Sequence, residues 1–189
     1  MHTATVTLKS AVGSSYSQGR HYSHSVPVLN KERPDDYETR TWRNRMHVTD
    51  DGRVFIPPMA FKNCLSEAAK FLGIQIPGKG KATFTKNFEA GVMVVDPLVL
   101  DIKAKDVEAN WLFVPASGRR GDGKRVMRCF PLIKQWGGVV TFHIVDDTIT
   151  QEIFEQHLIE AGKLIGIGVF RPRNNGYFGR FTVEKVSWK

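Results

Sequence analysis

Residues 2–12 alternate, with Thr3, Thr5 and Thr7 set against Ala4, Val6 and Leu8, and this period of two predicts a strand with one buried face. Residues 13–36 break the pattern. They are rich in Ser, Tyr, His, Arg and Pro, which predicts an exposed loop. Residues 37–48 alternate Thr, Arg and Trp, and Asp50-Asp51-Gly52 is a turn signal before residues 53–56, so a hairpin is expected there. Pro57-Pro58 then opens a helix. Met59, Phe61, Leu65, Ala68, Ala69 and Leu72 share its apolar face, and Gly73 ends it.

Beyond this helix, residues 76–86 read as a basic loop, and residues 92–102 and 111–114 read as strands, the first interrupted at Pro97. Residues 117–123 form a turn-rich tip leading into a strand over 124–130, and residues 139–145 form a buried strand. Thr150 begins a second helix through Ile153, Phe154, Leu158, Ala161 and Ile165, and residues 181–188 alternate as a closing strand. The order is an elaborated β-α-β-β-α-β plan. It predicts an α+β, ferredoxin-like (RRM-like) antiparallel sheet with two helices on one face and β-hairpin or loop insertions at about 13–56 and 104–136 of a single domain, 1–189.

A chain of 189 residues buries a core without staples. Its 27 Lys and Arg against 19 Asp and Glu give +8, a balance that favours a polyanionic partner. Cys64 and Cys129 have neither zinc nor disulfide spacing and read as buried thiols. No apolar leader opens the chain and no run approaches about 18 apolar residues, so a cytoplasmic protein without a membrane partner is expected.

Four basic clusters define where a polyanion would bind: Arg40, Arg43 and Arg45 around Trp42; Lys79, Lys81 and Lys86 beside Phe84 and Phe88; Arg119, Arg120, Lys124, Arg125 and Arg128; and Arg171, Arg173 and Arg180 in a glycine-punctuated loop over 165–181. Cations interleaved with rings and glycines suit single-stranded nucleic acid, since phosphates take the charge while bases stack. The competing reading is a solvated basic surface with its rings turned into the core. In the terminal loop, glycines let backbone N–H groups approach a ligand, although a helix stop at Gly166 and Gly168 with a turn at Asn175-Gly176 accounts for the same residues. Arg20, His21 and Lys62 complete the candidate set.

His21 and His24, three apart, form a candidate general base pair, with no Cys, Asp or Glu at ligand spacing. His47, His143 and His157 read as structural, and Asp146-Asp147 as caps for the following helix. No nucleophile elbow, P-loop, HExxH or paired catalytic carboxylates occur, so no enzyme, cofactor or metal is expected.

Two segments together resemble the RAMP superfamily of CRISPR proteins. Val54-Phe55-Ile56-Pro57-Pro58-Met59-Ala60-Phe61-Lys62-Asn63-Cys64-Leu65 is similar to its strand-to-helix motif, and Gly176-Tyr177-Phe178-Gly179-Arg180-Phe181 to the glycine-rich loop before its last strand. The resemblance is nearer to effector backbone subunits than to processing endonucleases. It implies a stand-alone or phage-encoded relative that binds single-stranded RNA, including guide RNA, or single-stranded DNA. It also implies head-to-tail homo-oligomers or assembly with other effector subunits. Residues 13–36 or 104–136 are then candidates for the family's hairpin thumb. A metal-independent endoribonuclease, and a module that mimics or blocks a backbone subunit, are the alternatives.

Overall fold

The computed structural model of the chain describes residues 1–20, 26–117, 121 and 123–189. The elements are β1 (His2–Ser10), α1 (Pro34–Thr41), β2 (Arg53–Ile56), α2 (Pro58–Leu72), α3 (Thr85–Gly91), β3 (Val92–Val94), β4 (Leu98–Lys103), β5 (Glu108–Pro115), β6 (Arg125–Leu132), β7 (Gly137–Ile144), α4 (Gln151–Glu160) and β8 (Phe181–Trp188). A four-stranded antiparallel sheet has the order β3-β7-β1-β8, and β2-β4 and β5-β6 form separate two-stranded ladders. With α2 between β1 and β3, and α4 between β7 and β8, this is the ferredoxin-like plan that the alternation predicted.

The helical face of the sheet follows from parity. Ala4, Val6 and Leu8 of β1 and Val140, Phe142 and Ile144 of β7 are buried, and they share one core with Phe61, Leu65, Phe154 and Leu158 of α2 and α4. Phe142 and Phe154 meet edge to face at 5.2 Å, a geometry their ring quadrupoles favour. The opposite face is threonine-rich, with Thr3, Thr5 and Thr7 beside Thr141 and His143, and carries no aromatic stacking platform.

Between β1 and α2 the structure corrects the sequence reading. Residues 37–48 are not a strand. Pro34 and the acidic Asp35 and Asp36 favour a helix start, so α1 forms and a 3₁₀ turn, Trp42–Arg45, follows; within α1 the hydroxyls of Thr39 and Thr41 donate back to the carbonyls of Asp35 and Tyr37. Of the expected hairpin the turn and a short antiparallel pairing of residues 47–49 with 53–55 survive. Val48 bridges Val54, and Asp51 accepts from the Thr49 hydroxyl at 2.5 Å and from Arg53 at 2.7 Å, which together hold its carboxyl down at about 2.

Nor are residues 14–18 an exposed loop. Ser14, Tyr16, Ser17 and Gln18 are buried; Tyr16 bridges Ile133, and the Gln18 amide donates to Phe55 O while accepting from His47 N. Further on, Thr85 ends the basic loop early by starting α3. Pro97 does divide two strands, which join different ladders. Asp146 is no helix cap: Thr150 caps α4, while Asp146 accepts from Asn87 at 2.7 Å and from Thr148 N, tying α3 to the turn before α4. Both thiols are buried as expected, and burial pushes the Cys64 thiol up to about 12. Among the described residues no helix is long and apolar enough to cross a membrane.

Candidate nucleic-acid interface

The structure separates the candidate cations into those that hold the fold and those that face solvent. Arg45 belongs to the first group. Buried Glu38 accepts from Arg45 at 3.1 Å, from Arg128 at 2.5 Å and from the backbone N–H of Cys129 at 3.1 Å, so a single carboxylate clamps α1 to β6. Arg40 is paired with Glu32 at 2.8 Å and also donates to Pro27 O. Trp42, expected as a stacking ring, is only 4% exposed, and the Arg43 guanidinium lies over it at 4.3 Å. Residues 34–45 are helical rather than extended, and Trp42 packs into the core.

In the second cluster Lys79, Lys81 and Lys86 are exposed, but Phe84 and Phe88 are buried and flank His157 at 5.9 and 4.4 Å. The interleaved rings therefore belong to the core. Lys62 donates to Glu89 O at 2.7 Å, fastening α2 to α3. Arg20 is exposed, and its N–H donates to Arg45 O. His21, His24, Arg119 and Arg120 lie outside the described residues.

The terminal loop is packed against the residue 14–18 strap. Val169 N donates to Ser17 O, Gly179 N to Ser15 O, Ile167 N to Gly179 O and Phe178 N to Phe170 O, so these donors are occupied within the protein. The glycines serve that approach. Gly168 has φ +77° and a Cβ there would collide with Ser17 O; Gly179, also at +77°, would collide with Ile167 O. Its arginines divide likewise. Arg171 pairs with Glu67 at 3.0 Å, and Arg180 donates from Nε to Lys163 O, a carbonyl of the π-turn Ala161–Ile165, at 3.1 Å and from Nη1 to Tyr177 O in the loop. Arg173 alone of the three is exposed without a carboxylate; its guanidinium sits 5.5 Å from the exposed Phe71 ring.

An open aromatic surface lies elsewhere, on the β5-β6 hairpin. Phe113 pairs with Met127 and Pro115 with Arg125, which puts Trp111, Phe113, Arg125 and Met127 on one face. Trp111 is 38% exposed, Phe113 57% and Met127 41%. The Arg125 guanidinium lies 5.3 Å from the Phe113 ring centre and donates to Phe113 O at 2.6 Å, while exposed Lys124 stands at the tip. The other face of the hairpin is anchored: Phe130 packs edge to face on Phe170 at 5.0 Å and carries Arg45 at 5.1 Å. Sequence reading found both strands and missed these rings as a surface. Trp111-Leu112-Phe113-Val114 is apolar at every position, so alternation gives no sign of which face is outward.

No protein-family model matches the chain, and no curated protein matches it. Among solved structures, a chain of a "CRISPR RNA-guided surveillance complex" is similar with a TM-score of 0.39 and 9% identity, over 98% of this chain and 68% of that chain.

Proposed function

We propose that this protein is a non-catalytic, single-stranded nucleic-acid-binding protein of the RAMP type, taking RNA or single-stranded DNA and assembling head to tail along it. The observation that carries the reading is the hairpin face. Trp111, Phe113 and Met127 stand open to solvent beside Arg125 and Lys124, on a chain of net charge +8. Exposed rings next to cations suit unpaired bases, which have free π-faces and a charged backbone, and suit a duplex poorly, since its bases already stack on each other. Exposed Lys79, Lys81 and Lys86 supply further charge, and Arg173 supplies charge beside the exposed Phe71 ring.

The test is fluorescence anisotropy with labelled single-stranded RNA and DNA, and with the matching duplexes, over a range of salt concentrations. Affinity for single strands falls steeply as salt rises, because neutralised phosphates release counterions. Light scattering on strands of increasing length shows one more protomer per added site length. No single-strand binding at low salt, or equal affinity for duplex, overturns the reading.

A further inference from the structure

A groove of about 920 Å³ opens where β1 ends, bounded by the start of the residue 11–18 segment, by β4 and by the connection from β6 to β7. Its size is within the roughly 300–1,000 Å³ of small-ligand sites. The groove is distinct from the hairpin's aromatic face. Leu132, which lines it, is the cross-strand partner of Glu108, and both have the opposite parity to Trp111 and Phe113.

Its chemistry is two-sided. Lys9 and Lys134 line it, and Lys9 has no carboxylate partner among the described residues. Lys134 holds Glu108 at 2.7 Å, but both side chains are largely exposed, so the pair is weak and exchangeable. Leu100, Ile102 and Leu132 supply apolar surface, and Asp101 adds a carboxylate acceptor. Trp136, 5% exposed, lines the same groove, and its indole N–H is buried with no partner, a cost folds accept sparingly. Cations for an anion, an apolar surface for a flat ring and an acceptor for a hydroxyl or amine describe one ligand class.

We infer that this groove binds a nucleoside phosphate, with Lys9 and Lys134 on the phosphate, the base against Leu100, Ile102 and Leu132, and Asp101 accepting from the sugar or the base. The ligand is either a free nucleotide or one unit of a strand, and the two sources are separable. The site does not depend on the hairpin reading.

The experiment is a ¹⁵N-resolved NMR titration of the full chain with adenosine and uridine monophosphates, with inorganic phosphate, and with a short single-stranded oligonucleotide. Saturable shifts in residues 9–13, 100–102 and 132–137 are expected, weakened at least about tenfold in Lys9→Ala/Lys134→Ala. Shifts with the monophosphates assign a free-nucleotide site; shifts with the oligonucleotide alone assign a unit of a strand. No shifts in these residues with any nucleotide ligand, shifts that persist in the double variant, or equal affinity for inorganic phosphate overturn the inference. Trp111→Ala/Phe113→Ala leaves the monophosphate response unchanged, so failure of the groove and failure of the hairpin surface are separately visible.

Discussion

Arg128 donates to Glu38 at 2.5 Å, joining the hairpin strand β6 to α1 across 90 positions of sequence. Glu38 is 1% exposed and its oxygens also take Arg45 and the Cys129 N–H, so the carboxylate is fully committed. Removing it takes a buried carboxylate from both Arg45 and Arg128 and an acceptor from the Cys129 N–H.

Glu38→Ala is therefore expected to cost about 3 kcal/mol or more, the scale for breaking a buried ion pair. Glu38→Gln, which keeps one acceptor and the shape, costs less. Urea unfolding of both variants checks the order, and equal stability for Glu38→Ala and the parent would show that the clamp contributes nothing.

Trp111→Ala and Phe113→Ala each lower single-strand affinity, by about 1–3 kcal/mol for each base stacked on a ring. Phe113→Ala changes stability little, since that side chain is 57% exposed, and Trp111→Ala costs more, since Trp111 is only 38% exposed. Because neither residue is charged, the salt slope stays as in the parent. Anisotropy at several salt concentrations separates this from the loss of a cation, which flattens the slope.

The three loop arginines behave differently from one another. Arg173→Ala reduces the salt slope by about 1 and leaves unfolding unchanged, as for a phosphate contact. Arg171→Ala and Arg180→Ala lower the melting temperature, because the first abandons Glu67 and the second loses the bonds that tie residue 163 to the loop at 177. Identical behaviour of all three would contradict this division.

Stability also falls on acidification. Burial holds the His157 imidazole below its ordinary value of about 6.5, and only the bond between Nδ1 and Ile153 O, at 2.7 Å, opposes this. Nε2 is buried without a partner, between Phe84 and Phe88. The folded state thus binds fewer protons than the unfolded one. The His157 contribution is complete above pH of about 6.5 and is lost as pH falls through the lower folded value. Burial also lowers His47, which adds in the same direction. Melting curves from pH 7.5 to 5 show the decline, and His157→Leu makes it shallower.

Gly168→Ala is expected to cost about 2 kcal/mol or more, from a positive φ and a collision with Ser17 O. Gly123→Ala, with open space where its Cβ would lie, is the control and changes stability little.

The sheet and its two main helices were legible because their periodicities are unbroken: Ala4-Val6-Leu8, the α2 stripe from Phe61 to Ala69, and the β8 alternation each admit one reading. Residues 37–48 misled because alternation of Thr, Arg and Trp is a weak signal beside Pro34 and two acidic residues that start a helix. The strap at 14–18 looked like surface because its composition is polar. Ser14 and Gln18 are buried through hydrogen bonds to chain that composition does not reveal. The arginines of the terminal loop were visible as cations, but only Arg173 is left exposed without a carboxylate once Glu67 and the Lys163 carbonyl are in place. Trp111 and Phe113 were hidden by the apolar neighbours between them.

The central position of β1 has a consequence for how the protein is made. Its two neighbours in the sheet, β7 and β8, begin at Gly137 and Phe181. At a synthesis rate of about 5–20 residues per second, β1 leaves the ribosome and waits on the order of 10 s before a native partner exists. Through that interval both of its edges are open to any strand it meets. The Ser14 hydroxyl, which donates to Tyr177 O and accepts from Arg180 N, closes its pair of bonds later still. The centre of the sheet therefore forms late in synthesis, and the nine-residue strand β1 carries two unpaired edges until then.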